Sequence, residues 1–132
     1  MAMRYLLDTN GVSAIAGHDP AAVSKLAQAQ VTYLSSIVLG ELYFGVYKIA
    51  ASPRGRLLRA EYDALATRLD VLDCDRATAD LYAQVRGEVE LKGQRIPEND
   101  MWIVALALQH ALTLATRGGH FARVAGLAIE LW

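Results

Sequence analysis

The sequence predicts an α/β domain in which a short central parallel sheet is flanked by helices. Two observations lead to that class. Short continuous apolar runs, of the kind a strand covered on both faces requires, alternate along the chain with helical segments. At 132 residues the chain also suits one domain, residues 1–132, able to bury about two-thirds of the surface its unfolded form would expose. No accessory domain is expected.

Tyr5 to Leu7 is an apolar run ending in Asp-Thr-Asn-Gly, read as a buried strand that delivers Asp8 to a turn and a helix start. Met1 and Ala2 lie ahead of that strand and read as an addition before a start at Met3. Thr32 to Ser35 is a second strand, with Ser36 as the cap of a helix over Ile37–Ala50. This segment is apolar almost all round, which calls for a buried or partner-covered helix. Ser52-Pro53-Arg54-Gly55 breaks it, and helical spacing resumes from Arg56 to Leu69, predicting two antiparallel helices. Val71-Leu72 is a short strand, and Asp75 starts a helix reaching Gly93. Asn99 caps an apolar helix containing MWIVALALQHA. Thr113–Ala115 and Leu127–Leu131 close the chain as strands around the loop Arg117-Gly118-Gly119-His120. Ligands on such sheets sit beyond the carboxyl ends of the strands, where Asp8 and Thr116 fall.

Composition narrows the function. Lysine and arginine number 13 against 14 aspartates and glutamates, so there is no overall cationic field and any nucleic-acid site must be local. The lone Cys74 excludes an intramolecular disulfide framework and a cysteine-based zinc site, and fits a reducing cytoplasm. No run approaches the ~20 apolar residues of a membrane span, and the N-terminus lacks the apolar core of an export signal. His18, His110 and His120 stand in unrelated contexts, and without a nucleophile elbow they support no serine–histidine–acid arrangement.

Three acids stand out because none lies on a polar face. Asp8 follows Tyr-Leu-Leu, Glu41 sits among Ile37, Val38, Phe44 and Gly45, and Asp100 precedes Met-Trp-Ile-Val. An unpaired buried carboxylate costs several kcal/mol, so it protonates, finds a cation or binds a metal. No lysine or arginine stands one helical turn from Glu41 or Asp100. Hard divalent ions take oxygen ligands from scattered carboxylates, which makes Mg²⁺ or Mn²⁺ the economical partner and phosphodiester hydrolysis an accessible chemistry. Plainer readings stand beside this one: Asp8 as a helix cap, Asp100 as a complement to a helix N-terminus, Glu41 as half of a distant ion pair with an arginine. The residues alone leave them open.

The segments YLLDTN, GELYFGVYK, GQRIPENDMWIVALAL and TRGGHFARVAGLAIELW occur in one order over Tyr5–Trp132, and together they resemble the VapC-type toxins of the PIN-domain superfamily. The resemblance implies a magnesium-dependent endoribonuclease with its acids at Asp8, Glu41 and Asp100. It also implies that Asn10 bonds substrate or Asp8, and that the Thr116 hydroxyl orients an acid or a water. The pattern carries a fourth acid two residues past the threonine. Gly118 stands there, supplies no ligand, and predicts attenuated activity or a module that has lost catalysis and only binds protein or RNA. A haloacid-dehalogenase-like phosphatase shares the opening Asp, yet it wants a second acid where Asn10 stands, and also a lysine and a downstream acidic pair that have no place here.

The same resemblance implies a VapB-like antitoxin as partner, and a homodimer. Tyr43, Phe44, Val46 and Tyr47 give one helix more apolar surface than a thin sheet needs, marking a core face or an interface. Arg54, Arg56 and Arg59, with Arg95 and Arg117 in loops, are the candidate RNA contacts; a solvated basic face is the plainer reading. Single-stranded loops are the favoured targets, since their bases can be splayed out. Trp102 and Trp132 are expected to pack the structure and not to stack on bases.

Overall fold

The computed structural model describes residues 3–132, so the expectation about Met1 and Ala2 falls outside the described residues. The chain runs β1 (Arg4–Leu7), α1 (Thr9–Ala16), α2 (Pro20–Gln28), β2 (Val31–Ser35), α3 (Ser36–Tyr47), α4 (Pro53–Arg68), β3 (Asp70–Leu72), α5 (Arg76–Leu91), α6 (Glu98–Gln109), β4 (Thr113–Thr116), a 3₁₀ turn (His120–Arg123) and β5 (Ile129–Leu131). The strands form one sheet in the order β3-β2-β1-β4-β5, and every pairing is parallel. Parallel neighbours need long crossovers, and the helices supply them.

Burial follows from that arrangement. Leu6, Leu7, Leu34 and Leu114 on the inner strands are wholly enclosed, as are Val12, Val38, Ile103, Leu106 and Phe121 from the elements packed around them. Strand β1 is central: Leu6 pairs with Tyr33 on one side and with Leu114 on the other. The chain leaves β1 toward β2 and β3, then returns to β4 on the opposite flank. The order therefore reverses between β1 and β4, and a crevice opens there at the carboxyl ends of the strands. Asp8 follows β1 and Thr116 ends β4, so both stand at this opening.

Several boundaries differ from the sequence expectation. Helix α2 was not anticipated; Asp19 caps it by accepting from Ala21 N, and Pro20 suits its first turn. Its one fully buried residue is Ala22, and Leu26 one turn on packs partly against the core. The cap of α3 is Ser35, not Ser36, and α3 ends at Tyr47, short of Ala50. Ser52 caps α4, which starts at Pro53 and not at Arg56. Asn99 lies within the first turn of α6, which starts at Glu98 after Pro97 and has no side-chain cap. Strand β5 begins at Ile129 rather than Leu127.

The all-round apolar character of α3 divides in two. Val38, Leu39, Leu42 and Val46 are buried, whereas Phe44 is 65 % and Tyr47 78 % exposed. Both tryptophans pack as expected: Trp102 stacks on Tyr82 at 4.0 Å, and Trp132 meets Tyr5 edge-on at 5.0 Å. Among the described residues no helix is long and apolar enough to cross a membrane.

Candidate active site

Asp8 is nearly enclosed, at 3 % exposure. Its Oδ1 accepts from Gly11 N at 2.7 Å, capping α1, and its Oδ2 accepts from the Thr116 hydroxyl across the crevice. The plainer reading of Asp8 as a cap is thus correct geometrically, and it leaves the second oxygen facing β4. Gly11 is needed for this fit, because a Cβ there would lie 3.2 Å from both Ala115 O and Asp8 Oδ1. The Thr116 hydroxyl also accepts from Gly118 N at 2.8 Å, which orients its proton toward Asp8.

Glu41 is half-buried on α3 and accepts from the Thr9 hydroxyl at 2.9 Å. Thr9 therefore ties it to the residue beside Asp8, and among the described residues no arginine forms the distant ion pair considered from sequence. Asp100, in the first turn of α6, has a partner that the sequence reading missed: its Oδ2 and His120 Nε2 share a hydrogen bond of 2.6 Å. The two side chains are 17 % and 29 % exposed. His120 lies 20 positions from Asp100, and its ring is braced on Phe121, with centroids 4.4 Å apart. Folding alone brings this histidine to the acids.

The electrostatics follow from that crowding. Burial pushes the Asp8 carboxyl above the ordinary carboxylate range; the Thr116 and Gly11 hydrogen bonds and the charge on His120 pull it back, and the charge of Glu41 raises it further. Asp100 is likewise raised by burial, opposed by its bond to His120 and by that ring's charge, and lifted again by Glu41 and Asp8. Asp8 stands within reach of the charge on Glu41, and Asp100 within reach of both, at one end of the sheet.

The donors fit a hard divalent cation in kind: they are oxygens, they repel one another, and two of them are desolvated. As placed, each acid is turned to a protein partner, and among the described residues no three His, Cys, Asp or Glu side chains stand close enough to enclose an ion.

The other expected residues are scattered. Asn10 is exposed in the first turn of α1, and Asp8 bonds to Gly11 and Thr116 instead of to it. Arg117 is engaged within the protein, pairing with Asp19 and donating to the Trp132 carbonyl. Arg95 pairs with Glu90 at 3.3 Å, Arg59 with Asp63 at 3.1 Å, and Arg56 donates to Ala51 O at 2.8 Å. Arg54 is exposed on the first turn of α4. None of these five is bonded or paired to the three acids among the described residues.

The PIN domain family pattern matches residues 5–127. The chain is 34 % identical to Ribonuclease VapC2 of Rickettsia felis, with 98 % of each chain aligned. It is 32 % identical to the tRNA(fMet)-specific endonuclease VapC of Shigella flexneri, again over 98 % of both. Among solved structures, it superposes on the Rickettsia felis VapBC2 complex bound to a promoter DNA fragment with a TM-score of 0.87, 31 % identity and 98 % coverage of each chain. DNA-bound VapBC from Salmonella typhimurium gives a TM-score of 0.87 at 29 % identity, also over 98 % of both chains.

Proposed function

The chain belongs to the PIN-domain family, among its VapC ribonucleases, and from that premise we propose that it is the toxin of a toxin–antitoxin pair that hydrolyses RNA by divalent-metal chemistry at Asp8, Glu41 and Asp100. The observation that carries this reading is the joining of three scattered acids, from β1, α3 and α6, at the switch point of the sheet. Mg²⁺ or Mn²⁺ held there supplies an acidified water and offsets charge developing on the phosphodiester.

The protein's own contribution is positional. Gly11 N and the Thr116 hydroxyl fix the Asp8 carboxylate, the Thr9 hydroxyl fixes Glu41, and His120 fixes Asp100. These bonds orient each carboxylate in the ion-free protein, and a cation would compete with them for the same oxygens. In this reading Asn10, exposed in the first turn of α1, bonds substrate. Arg54, Arg56 and Arg59 at the start of α4 are the cations whose contacts with phosphate would offset the repulsion between RNA and the acids.

A VapB-like antitoxin is the partner in this reading, supported by the VapBC complexes among the similar structures. The exposed Phe44 and Tyr47, with Leu57 at 62 % exposure, supply apolar surface beside a groove of about 330 Å³ lined by Val46, Ala50, Arg56 and Ala60. A symmetric homodimer and a cytoplasmic setting complete the reading. Gly118 supports a second one, in which catalysis has been lost and only binding remains.

The experiment is RNA cleavage by the purified chain in Mg²⁺ and in Mn²⁺, with EDTA, Asp8→Ala and Asp100→Ala as controls. Cleavage lost in all three controls supports the proposal. Cleavage that persists in either variant, or none from the wild type in either metal, overturns it, and the latter outcome favours the binding module.

A further inference from the structure

We propose that Arg117 is a positioning residue of the acid site: by pairing with Asp19 and bonding the Trp132 carbonyl, it holds the loop from Thr116 to His120 so that the Thr116 hydroxyl stays on Asp8. Its effect on cleavage rests on the nuclease reading above.

The loop needs an anchor from outside itself. Two of the three acids meet it, Asp8 through the Thr116 hydroxyl at its start and Asp100 through His120 at its end. Between them stand Gly118 and Gly119, which bring no side chain to hold the backbone, and a Cβ on Gly119 would meet nothing within 4 Å. Glycine also loses the most conformational freedom on ordering. Gly118 N donates to the Thr116 hydroxyl at 2.8 Å, and that hydroxyl donates to Asp8. Both bonds depend on where the backbone at residue 116 lies.

Arg117, between Thr116 and Gly118, fixes that backbone. Its Nη2 pairs with Asp19 Oδ2, and its Nε donates to the Trp132 carbonyl. Both acceptors are themselves held. Asp19 caps α2 by accepting from Ala21 N at 3.0 Å, and its own N–H donates to Ala14 O at 3.0 Å. Trp132 is buried against Tyr5, and its N–H donates to Thr116 O at 3.2 Å. Thr116 and Arg117 thus grip one residue of the neighbouring strand end through its N–H and its carbonyl. A planar guanidinium bonds in two fixed directions, which an ammonium on a flexible stem does not.

The same bonds argue against contact with RNA phosphate. Nε and Nη2 are engaged, and Arg117 and Asp19 offset each other's charge, the guanidinium holding the Asp19 carboxyl below the ordinary range. Little net charge is left there to draw a phosphate.

The test reads amide exchange and RNA cleavage on the intact chain. Arg117→Met keeps the apolar stem and removes the fork, Arg117→Lys keeps the charge, and Asp19→Asn keeps an acceptor for the α2 cap. In the ion-free protein, NMR hydrogen exchange in Arg117→Met should speed up at Gly118 and stay as in wild type at the enclosed Leu6 and Leu106. In Mg²⁺ its kcat should fall about 10- to 100-fold at unchanged KM, as for the loss of an outer partner of a metal site. Arg117→Lys should recover little, and Asp19→Asn combined with Arg117→Met should be no worse than Arg117→Met alone. In a Thr116→Val background, where the hydroxyl is gone, Arg117→Met should cost little more. A raised KM and a shallower salt dependence, with exchange at Gly118 unchanged, would make Arg117 an RNA contact and overturn the proposal. Faster exchange at Leu6 and Leu106 as well, or an undiminished loss in the Thr116→Val background, would reduce Arg117 to a general structural residue and also overturn it. If the wild type cleaves no RNA in either metal, the nuclease reading fails separately, and exchange at Gly118 still decides whether Arg117 holds the loop.

Discussion

Burial makes the charge on Asp100 unfavourable in the ion-free protein, and this sets the outcome of removing it. Its carboxyl is raised above the ordinary range by desolvation and by its acidic neighbours, against the pull of His120. A raised folded value means that the ionised group opposes folding at neutral pH; the opposition fades as pH falls through the raised value and is gone below the unfolded one. Asp100→Asn in EDTA should therefore be as stable as wild type or more so at neutral pH, with the difference narrowing in acid, while metal affinity and RNA cleavage drop by at least about 100-fold. Thermal denaturation across pH, paired with calorimetry, checks it; marked destabilisation in EDTA would show that the bond to His120 outweighs the desolvation. The three acids could be singled out from sequence because their neighbours are apolar, a property that local sequence carries. Their partners could not be. His120 reaches Asp100 through the crossing of β4 over the sheet's switch point, and Thr9 reaches Glu41 from another helix, so neither contact leaves a trace in spacing along the chain.

Helix α5 shows how a single cap holds two elements. Asp75 Oδ1 accepts from Thr78 N at 3.1 Å and from Gln109 Nε2 at 2.9 Å, so it closes the first turn of α5 and ties it to the end of α6. The backbone bond from Thr78, then the Gln109 and Thr78 side chains, hold its carboxyl below the ordinary range. A lowered folded value contributes stability that is present above the unfolded value and lost as pH falls through the folded one. Asp75→Ala should lower the thermal midpoint by a few degrees at neutral pH, and the gap from wild type should shrink in strong acid; an unchanged midpoint at neutral pH would argue against the cap. Strand β5 has its own anchor. Trp132, 4 % exposed, packs on Tyr5 and donates Nε1–H to Glu130 at 2.8 Å, joining β5 to β1 across β4. Trp132→Ala should cost about 3–5 kcal/mol in urea denaturation and leave the metal affinity of the folded protein unchanged; altered RNA affinity at an unchanged melting temperature would reverse that assignment. Elements with strong apolar runs, such as β1, α3 and α6, were readable from sequence. Helix α2 is nine residues long and its apolar face, Ala22 with Leu26, is small, so it stands out less than the long apolar runs of α3 and α6.

For the molecule as a whole, sheet order is the property that sequence could suggest only as a class. The alternation of strands and helices implies a parallel sheet, but placing β1 between β2 and β4 depends on contacts between distant segments. The outer surface poses the matching question of what covers it. With a formal net charge of −1 the chain has no strong overall field to draw a partner, so recognition must rest on local surface. Phe44 and Tyr47 of α3 are exposed, as is Leu57 of α4, and Tyr47 lines a groove between the two helices with Arg56, Arg59 and Asp63. Large aromatics near arginine are the residues that dominate binding energy at protein interfaces, because they desolvate fully with little loss of freedom. If this face receives the antitoxin, Phe44→Asp combined with Tyr47→Asp places charge where apolar contact is required and should abolish co-purification of the coexpressed pair. The fold should survive, since both side chains are already in water, and so should metal affinity, since neither touches the three acids. Sedimentation of each variant alone and with its antitoxin checks both halves. An intact complex would place the antitoxin elsewhere; a lighter free toxin with an intact complex would assign this face to the homodimer instead.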